Sequence, residues 1–164
     1  MYKLVVSALA LLALPALGEE AIITGNVESK CQINTDINGV FGNPTAGTLS
    51  TLPADGGVMP IIRDDVALGD AYTARVIAPN NFSTSPTLND IVVWTSDVEV
   101  SEVSDTAMAD YETDKIQYEY TTEFDLHTAG TTWFKVTSKA EYGYGKSFPG
   151  GQYRAIVLAE CIAK

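Results

Sequence analysis

One histidine, two cysteines and ten lysine or arginine residues are all that the 164-residue chain offers of the side chains that most often hold metals, do thiol chemistry or bind phosphate. A zinc site needs three or four His, Cys or carboxylate ligands close together, and one histidine with two distant cysteines supplies no such set. The few cations face 21 acidic residues, for a formal net charge of −11. They form no cluster, so the chain lacks the basic patch that phosphate recognition requires, and its field repels nucleic acid and anionic lipid. No segment has eighteen consecutive apolar residues, which excludes a spanning helix on hydropathy grounds. The GxSxG turn of serine hydrolases is missing, as is the DxDxDG spacing of a calcium loop. Repeats, heptads and low-complexity linkers are also absent.

What the chain does have begins with its first residues. Lys3 precedes an apolar stretch from Leu4 to Ala13, then Pro15 and the small residues Ala16 and Gly18. This is the layout of a secretory signal peptide, with cleavage expected after Gly18. Residues 1–18 are therefore expected to be a leader, and 19–164 a single domain large enough for its own core. An exported chain meets an oxidising compartment, so Cys31 and Cys161 are expected to pair, the alternative being two separate buried thiols. Such a bridge would span nearly the whole mature chain, and the chain-entropy argument values it at about 5 kcal/mol at most.

The clearest periodicity is in Ile116 to Leu126 (IQYEYTTEFDL), where Ile116, Tyr118, Tyr120, Thr122, Phe124 and Leu126 fall on one side. Period two over this length predicts one half-buried strand. Thr131 to Ala140 alternates again, setting Phe134, Val136 and Ala140 against Lys135, Thr137 and Lys139, with Trp133 on the polar side. The intervening His127 to Gly130 predicts a hairpin with a four-residue loop. Gln152 to Ala163 is apolar on both faces, with Tyr153, Ala155, Val157, Ala159 and Cys161 on one of them, and is expected inside a sheet. Ile22 to Ile33 places Cys31 on its inward face, so both cysteines can look into the core. Further strands are predicted at Ala71 to Ala78 and Ile91 to Val103, with weaker ones at Val58 to Ile62 and Val66 to Leu68. Ser104 to Asp114 suggests a helical turn. Gly, Pro and Asn punctuation between these segments favours an all-β sandwich of about seven or more antiparallel strands.

Candidate chemistry is sparse. His127 sits in a loop with no partner fixed by sequence, and the acidic groups Asp64 with Asp65, Asp97 with Glu99, and Asp110 with Asp114 occur at spacings too common to single out a calcium site or a glycosidase pair. No catalytic residue, metal or cofactor is assigned, and the chain is expected to be non-catalytic. Trp133, with Tyr142 and Tyr144 in a Gly-rich loop, is a candidate platform for stacking a surface glycan, although such a tryptophan more commonly packs against a neighbouring loop.

The opening ITGNVESKCQI and the closing AGTTWFKVTSKAEYGYGKSFPGGQYRAIVLAECIA resemble the first strand and last third of fimbrial subunits of the chaperone–usher type. In those pilins a Gly-x-Val stretch leads to a cysteine, and a glycine, here Gly151, precedes the final strand. The resemblance implies an incomplete immunoglobulin-like sandwich exported to the periplasm or cell surface. It also implies a periplasmic chaperone and like subunits as partners, and a groove completed by a neighbour's strand. Tyr153, Ala155, Val157 and Ala159 would line that groove. The chain differs from the family in offering only Cys161 as a partner for Cys31, in having only the residues Glu19 to Lys30 before Cys31, enough for a first strand but with almost nothing left for a separate donor strand, and in carrying Ala163 where an aromatic residue is usual.

Overall fold

Alternation between small or apolar and polar residues runs through the longest strand of the fold, Gly130–Tyr142, in which Thr132, Phe134, Val136, Ser138, Ala140 and Tyr142 are all buried. The residues between them, from Trp133 to Glu141, face outward, as a two-residue repeat requires. In the computed structural model, which describes residues 24–25, 31–143 and 145–164, this strand is β9 of ten. The others are β1 (Cys31–Ile37), β2 (Gly42–Thr45), β3 (Thr48–Ser50), β4 (Ile61–Val66), β5 (Tyr72–Ile77), β6 (Val92–Val103), β7 (Ile116–Tyr118), β8 (Thr121–Leu126) and β10 (Leu158–Ala163). The expected leader and the predicted strand residues before Cys31, apart from residues 24 and 25, lie outside the described residues.

All strand pairs are antiparallel and fall into two sheets. In the six-stranded sheet, β6 pairs along β9 from Tyr142 to Thr132. The opposite edge of β9 is divided between β4, at Gly130 to Lys135, and β3, at Lys139 to Glu141. β1 closes this sheet beyond β4, and β2 extends it beyond β3. The second sheet runs β10-β5-β8-β7. The sheets stack in sandwich fashion, with the rings of Phe124 from β8 and Phe134 from β9 meeting across the interior at 4.4 Å between centroids. Around them lie Ile62, Val66, Ala74, Val76, Val98 and Val136. A second cluster, built on Leu49, Trp94 and Ala140, continues into an aromatic group of Phe41, Phe82, Phe148 and Tyr153.

Several segments differ from the sequence expectations. Ile116 to Leu126 is two strands, turned at Glu119, whose φ of 52° lies in the left-handed region. β8 and β9 do not form a hairpin. β8 pairs with β5 and β7, so His127 to Ala129 carries the chain from one sheet to the other. The inward faces of β8 and β9 were both apolar because they face each other across the core, which alternation cannot distinguish from lying side by side. Gly130 makes the crossing possible: its φ of 149° suits glycine, and a Cβ there would strike the Met108 side chain. The two weak segments around Ile62 and Val66 are one strand, β4, and the helical hint in Ser104 to Asp114 is a 3-10 turn at Thr106–Met108 followed by the short helix α1 (Tyr111–Asp114).

The last strand also departs from expectation. Only Leu158–Ala163 is paired, and β10 lies at a sheet edge rather than inside it. Leu158 at its start and Ile156 just before it are exposed. Residues 152–157 are extended but bonded only locally, through the bridge between Arg154 and Thr84.

Candidate functional site: a cleft between two strand edges

β1 and β10 are the terminal strands of their sheets on the same side of the molecule, and the Cys31–Cys161 disulfide joins them with Cα atoms 6.2 Å apart. The expected pairing is thus made. Among the described residues, each strand has a ladder partner on one side only, β4 for β1 and β5 for β10. Antiparallel register fixes the directions: β1 runs away from the disulfide, and the segment from Gly151 runs toward it.

Beyond the disulfide the two edges part around a cleft of about 600 Å³. One wall is Thr35 and the segment from Asn38 to Phe41, and the other is Gly151 to Val157. Leu49, Ile62, Pro60 and Pro79 add apolar surface, with Thr51 and Ser138 as the polar exceptions. Those two are already occupied with each other, since the Thr51 hydroxyl accepts from the Ser138 N–H at 2.8 Å. Tyr153, Ala155 and Val157 are half-buried while Gln152, Arg154 and Ile156 are exposed, the alternation of a strand in one wall. Three of the four residues expected to line a groove therefore lie in the cleft. The fourth, Ala159, belongs to β10 and packs against the main core cluster. The Tyr153 hydroxyl donates to the Pro149 carbonyl at 2.7 Å, and burial pushes its pKa up.

The opposite side of the sandwich is closed differently. There the free edge of β6 is covered by side chains of the α1 region. The Glu112 carboxylate accepts from the Val100 N–H at 2.7 Å, and the Lys115 ammonium donates to the Val98 carbonyl at 2.8 Å. Glu112 and Lys115 also pair with each other at 2.6 Å. One acceptor and one donor thus occupy two backbone groups that a further strand would need.

The aromatic platform is not assembled. Trp133 lies on the outer face of β9, where its indole N–H donates to Asp36 at 2.8 Å beside the Arg63–Asp36 ion pair. Tyr142 faces inward, 4 % exposed, stacked on Phe148 with its hydroxyl donating to Asn89. Odd and even residues of one strand cannot share a face. Tyr144 lies outside the described residues.

The carboxylates likewise separate by strand parity. Asp65 faces outward to Arg63 and Thr131, whereas Asp64 faces the core and is 1 % exposed. His127, for which sequence indicated no partner, contacts Thr128 through Nδ1 at 2.9 Å and Asp110 through Nε2 at 3.1 Å. The sulfurs of Cys31 and Cys161 lie near the Asp64 carboxylate, with all three groups within 4.8 Å of one another. Both sulfurs are used in the disulfide and so are not thiolate ligands in this form. Asp64 is the residue that sequence reasoning most clearly missed. The available signal was a charged residue at an even position between Ile62 and Val66, where the strand pattern calls for an apolar one.

Neither the protein-family models nor the curated proteins compared with the chain match it.

Proposed function

We propose that this is an exported, non-catalytic subunit of a surface assembly, fimbrial in kind and immunoglobulin-like in fold, which works by taking an extended strand into the cleft between β1 and the Gly151–Val157 wall. The reading rests on one observation: the edge of β1, unpaired on one side among the described residues, and the Gly151–Val157 segment, held by the Arg154–Thr84 bridge, flank an apolar-floored cleft of about 600 Å³. An entering strand would gain main-chain hydrogen bonds from the edges, while alternate side chains would bury against Ala155, Val157 and Ile62. A periplasmic chaperone would hold the same edges before assembly, as the pilin resemblance implies.

The occupant we assign is the segment of a second copy from Glu19 to Lys30, acting as the donor in place of the first strand expected for it within its own chain; Ala21, Ile23, Gly25 and Val27 would fall on one side of it when extended. In the same copy this segment joins β1 at the disulfide end, whereas the cleft lies at the other end of β1, beside Thr35. Four extended residues separate the two, about 13 Å of strand. A neighbour's segment can enter without that reversal.

The test is a gel of the exported, purified chain without boiling, beside an Ala155→Arg variant whose cooperative melting shows it folded. A heat-sensitive ladder that disappears in the variant is expected. A peptide of sequence EEAIITGNVESK should bind the monomer and fail to bind the variant. Monomers throughout, with no peptide bound, overturn the reading.

A further inference from the structure

Asp64 occupies a position that physical chemistry disfavours. It belongs to the inward row of β4, between Ile62 and Val66, and its side chain is 1 % exposed in a site lined mainly by hydrocarbon. Its Oδ1 has no hydrogen-bond partner, and its Oδ2 lies 3.9 Å from the Cys161 sulfur. A carboxyl group is held at such a site only at a cost that a valine would avoid. The nearest charged groups do not relieve it. Arg63 and Asp65 on β4 point to the outer face, as do Arg75 on β5 and Glu160 on β10, which pair with each other. From β9, Thr132 directs its hydroxyl to the Met108 sulfur. Tyr72 and Tyr111 belong to the neighbouring core cluster, where burial pushes the Tyr111 pKa up.

We propose that Asp64 is the acid–base group for making and breaking the Cys31–Cys161 bond, with Cys161 as the sulfur that leaves and returns. In reduction, the thiolate of an external thiol, glutathione or a dithiol oxidoreductase, attacks the Cys31 sulfur; both cysteines are half-buried, and the choice of Cys161 as leaving group follows from its sulfur lying 3.9 Å from the Asp64 carboxyl. A bond forms between the external sulfur and Cys31 as the Cys31–Cys161 bond breaks, and its electron pair goes to Cys161. The proton on Asp64 Oδ2 passes to that sulfur, leaving a carboxylate that solvent reprotonates. A second thiolate then attacks the external sulfur, releasing Cys31 as a thiolate that takes a proton from water. Two external thiols become a disulfide, and the protein disulfide becomes two thiols. In oxidation the steps reverse, with the Asp64 carboxylate taking the Cys161 proton so that a thiolate can close the ring.

Two features support the assignment besides proximity. Without the proton, departure of Cys161 would place a thiolate next to a carboxylate in a poorly solvated site, where like charges repel strongly. Burial, with the neighbouring Asp65 charge, pushes the Asp64 pKa up to about 7, so both protonation states are accessible near neutrality. The inference does not depend on strand uptake, although the bond in question holds together the two edges that flank the cleft.

The test is the rate of disulfide reduction in the full folded chain by glutathione between pH 5.5 and 9, quenched by alkylation and read by mass. Each rate is divided by the glutathione thiolate concentration. In the native chain this normalised constant should fall as pH passes 7. In Asp64→Asn, which keeps the shape but cannot transfer a proton, it should be flat and slower at pH 6 by about 100-fold, the lower end of general-acid effects. Peptide mapping of the trapped intermediate should find glutathione on Cys31 and the alkyl group on Cys161. A flat native profile overturns the proposal whether or not the variant folds, as do equal rates in the two proteins or glutathione on Cys161.

Discussion

Replacing Asp64 by asparagine should lower the stability of this protein in acid and recover that loss, or more, as pH rises through neutrality. The folded carboxyl has a pKa of about 7, raised from its ordinary 3.8 by burial and by Asp65. Between those values the native state keeps a proton that the unfolded chain has already released. Unfolding therefore liberates a proton, and the stability of the native protein falls as pH rises from about 4 to about 7, levelling off above. Each pH unit in that window is worth about 1.4 kcal/mol, so the full effect is about 4 kcal/mol, an upper figure because local relaxation and water entry reduce such penalties. Asparagine has no such titration but leaves its own amide poorly bonded beside Val66 and the disulfide, costing about 1–3 kcal/mol. The expected outcome is a stability difference, variant minus native, that rises by roughly 2–4 kcal/mol between pH 4.5 and 8. Urea unfolding with the disulfide intact measures it, followed by the fluorescence of Trp94, which is 7 % exposed. Subtracting the variant removes every other titrating group. Parallel stability curves for the two proteins would refute the claim that Asp64 is held protonated by its surroundings.

Three further outcomes are expected. Replacing both Cys31 and Cys161 by alanine should cost up to about 5 kcal/mol and raise the urea m-value, because the denatured chain loses a cross-link between residues 130 apart. Glu112→Ala combined with Lys115→Met uncovers the Val100 N–H and Val98 carbonyl on the β6 edge, and should speed aggregation in light scattering at unchanged far-UV signal. Glu123 is held below the usual glutamate range by hydrogen bonds from Arg75 and then Tyr118. It therefore contributes stability above that range which is lost as pH falls through its folded pKa, and Glu123→Gln should flatten the acid limb of the unfolding curve.

Strand identity was legible wherever one face meets the core and the other meets water. β9 shows this best, with Phe134 and Val136 on one side and Lys135 and Lys139 on the other, and even the outward placement of Trp133 followed from parity. Partners were less legible, because an alternating pattern states which face is buried and not which sheet provides the cover. β8 and β9 were for that reason expected side by side, although Phe124 and Phe134 face each other. The turn at Glu119 was hidden because glutamate takes a left-handed conformation there without the usual Gly or Asn to mark it. The cysteine pair was readable from its even number and the inward parity of both cysteines. The alternation of Tyr153, Ala155 and Val157, which line one side of the cleft, was readable, but the apolar outer face of that segment suggested a central strand, whereas Ile156 and Leu158 are exposed. Asp64 was noted only as half of an acidic pair, and its burial was not legible because such a pair resembles any solvated one until the parity of the whole strand is known.

The disulfide also determines how the protein bears tension. It ties the first described strand to the last, so a pull applied through the two chain ends reaches Cys31 and Cys161 and passes directly between them through a covalent bond. Every strand from β2 to β9 lies inside the closed loop and carries none of that load. Stretched between Cys31 and Cys161, the oxidised protein should show no force peak from sheet rupture. The reduced protein, with β1 and β10 no longer tied, should instead unravel strand by strand.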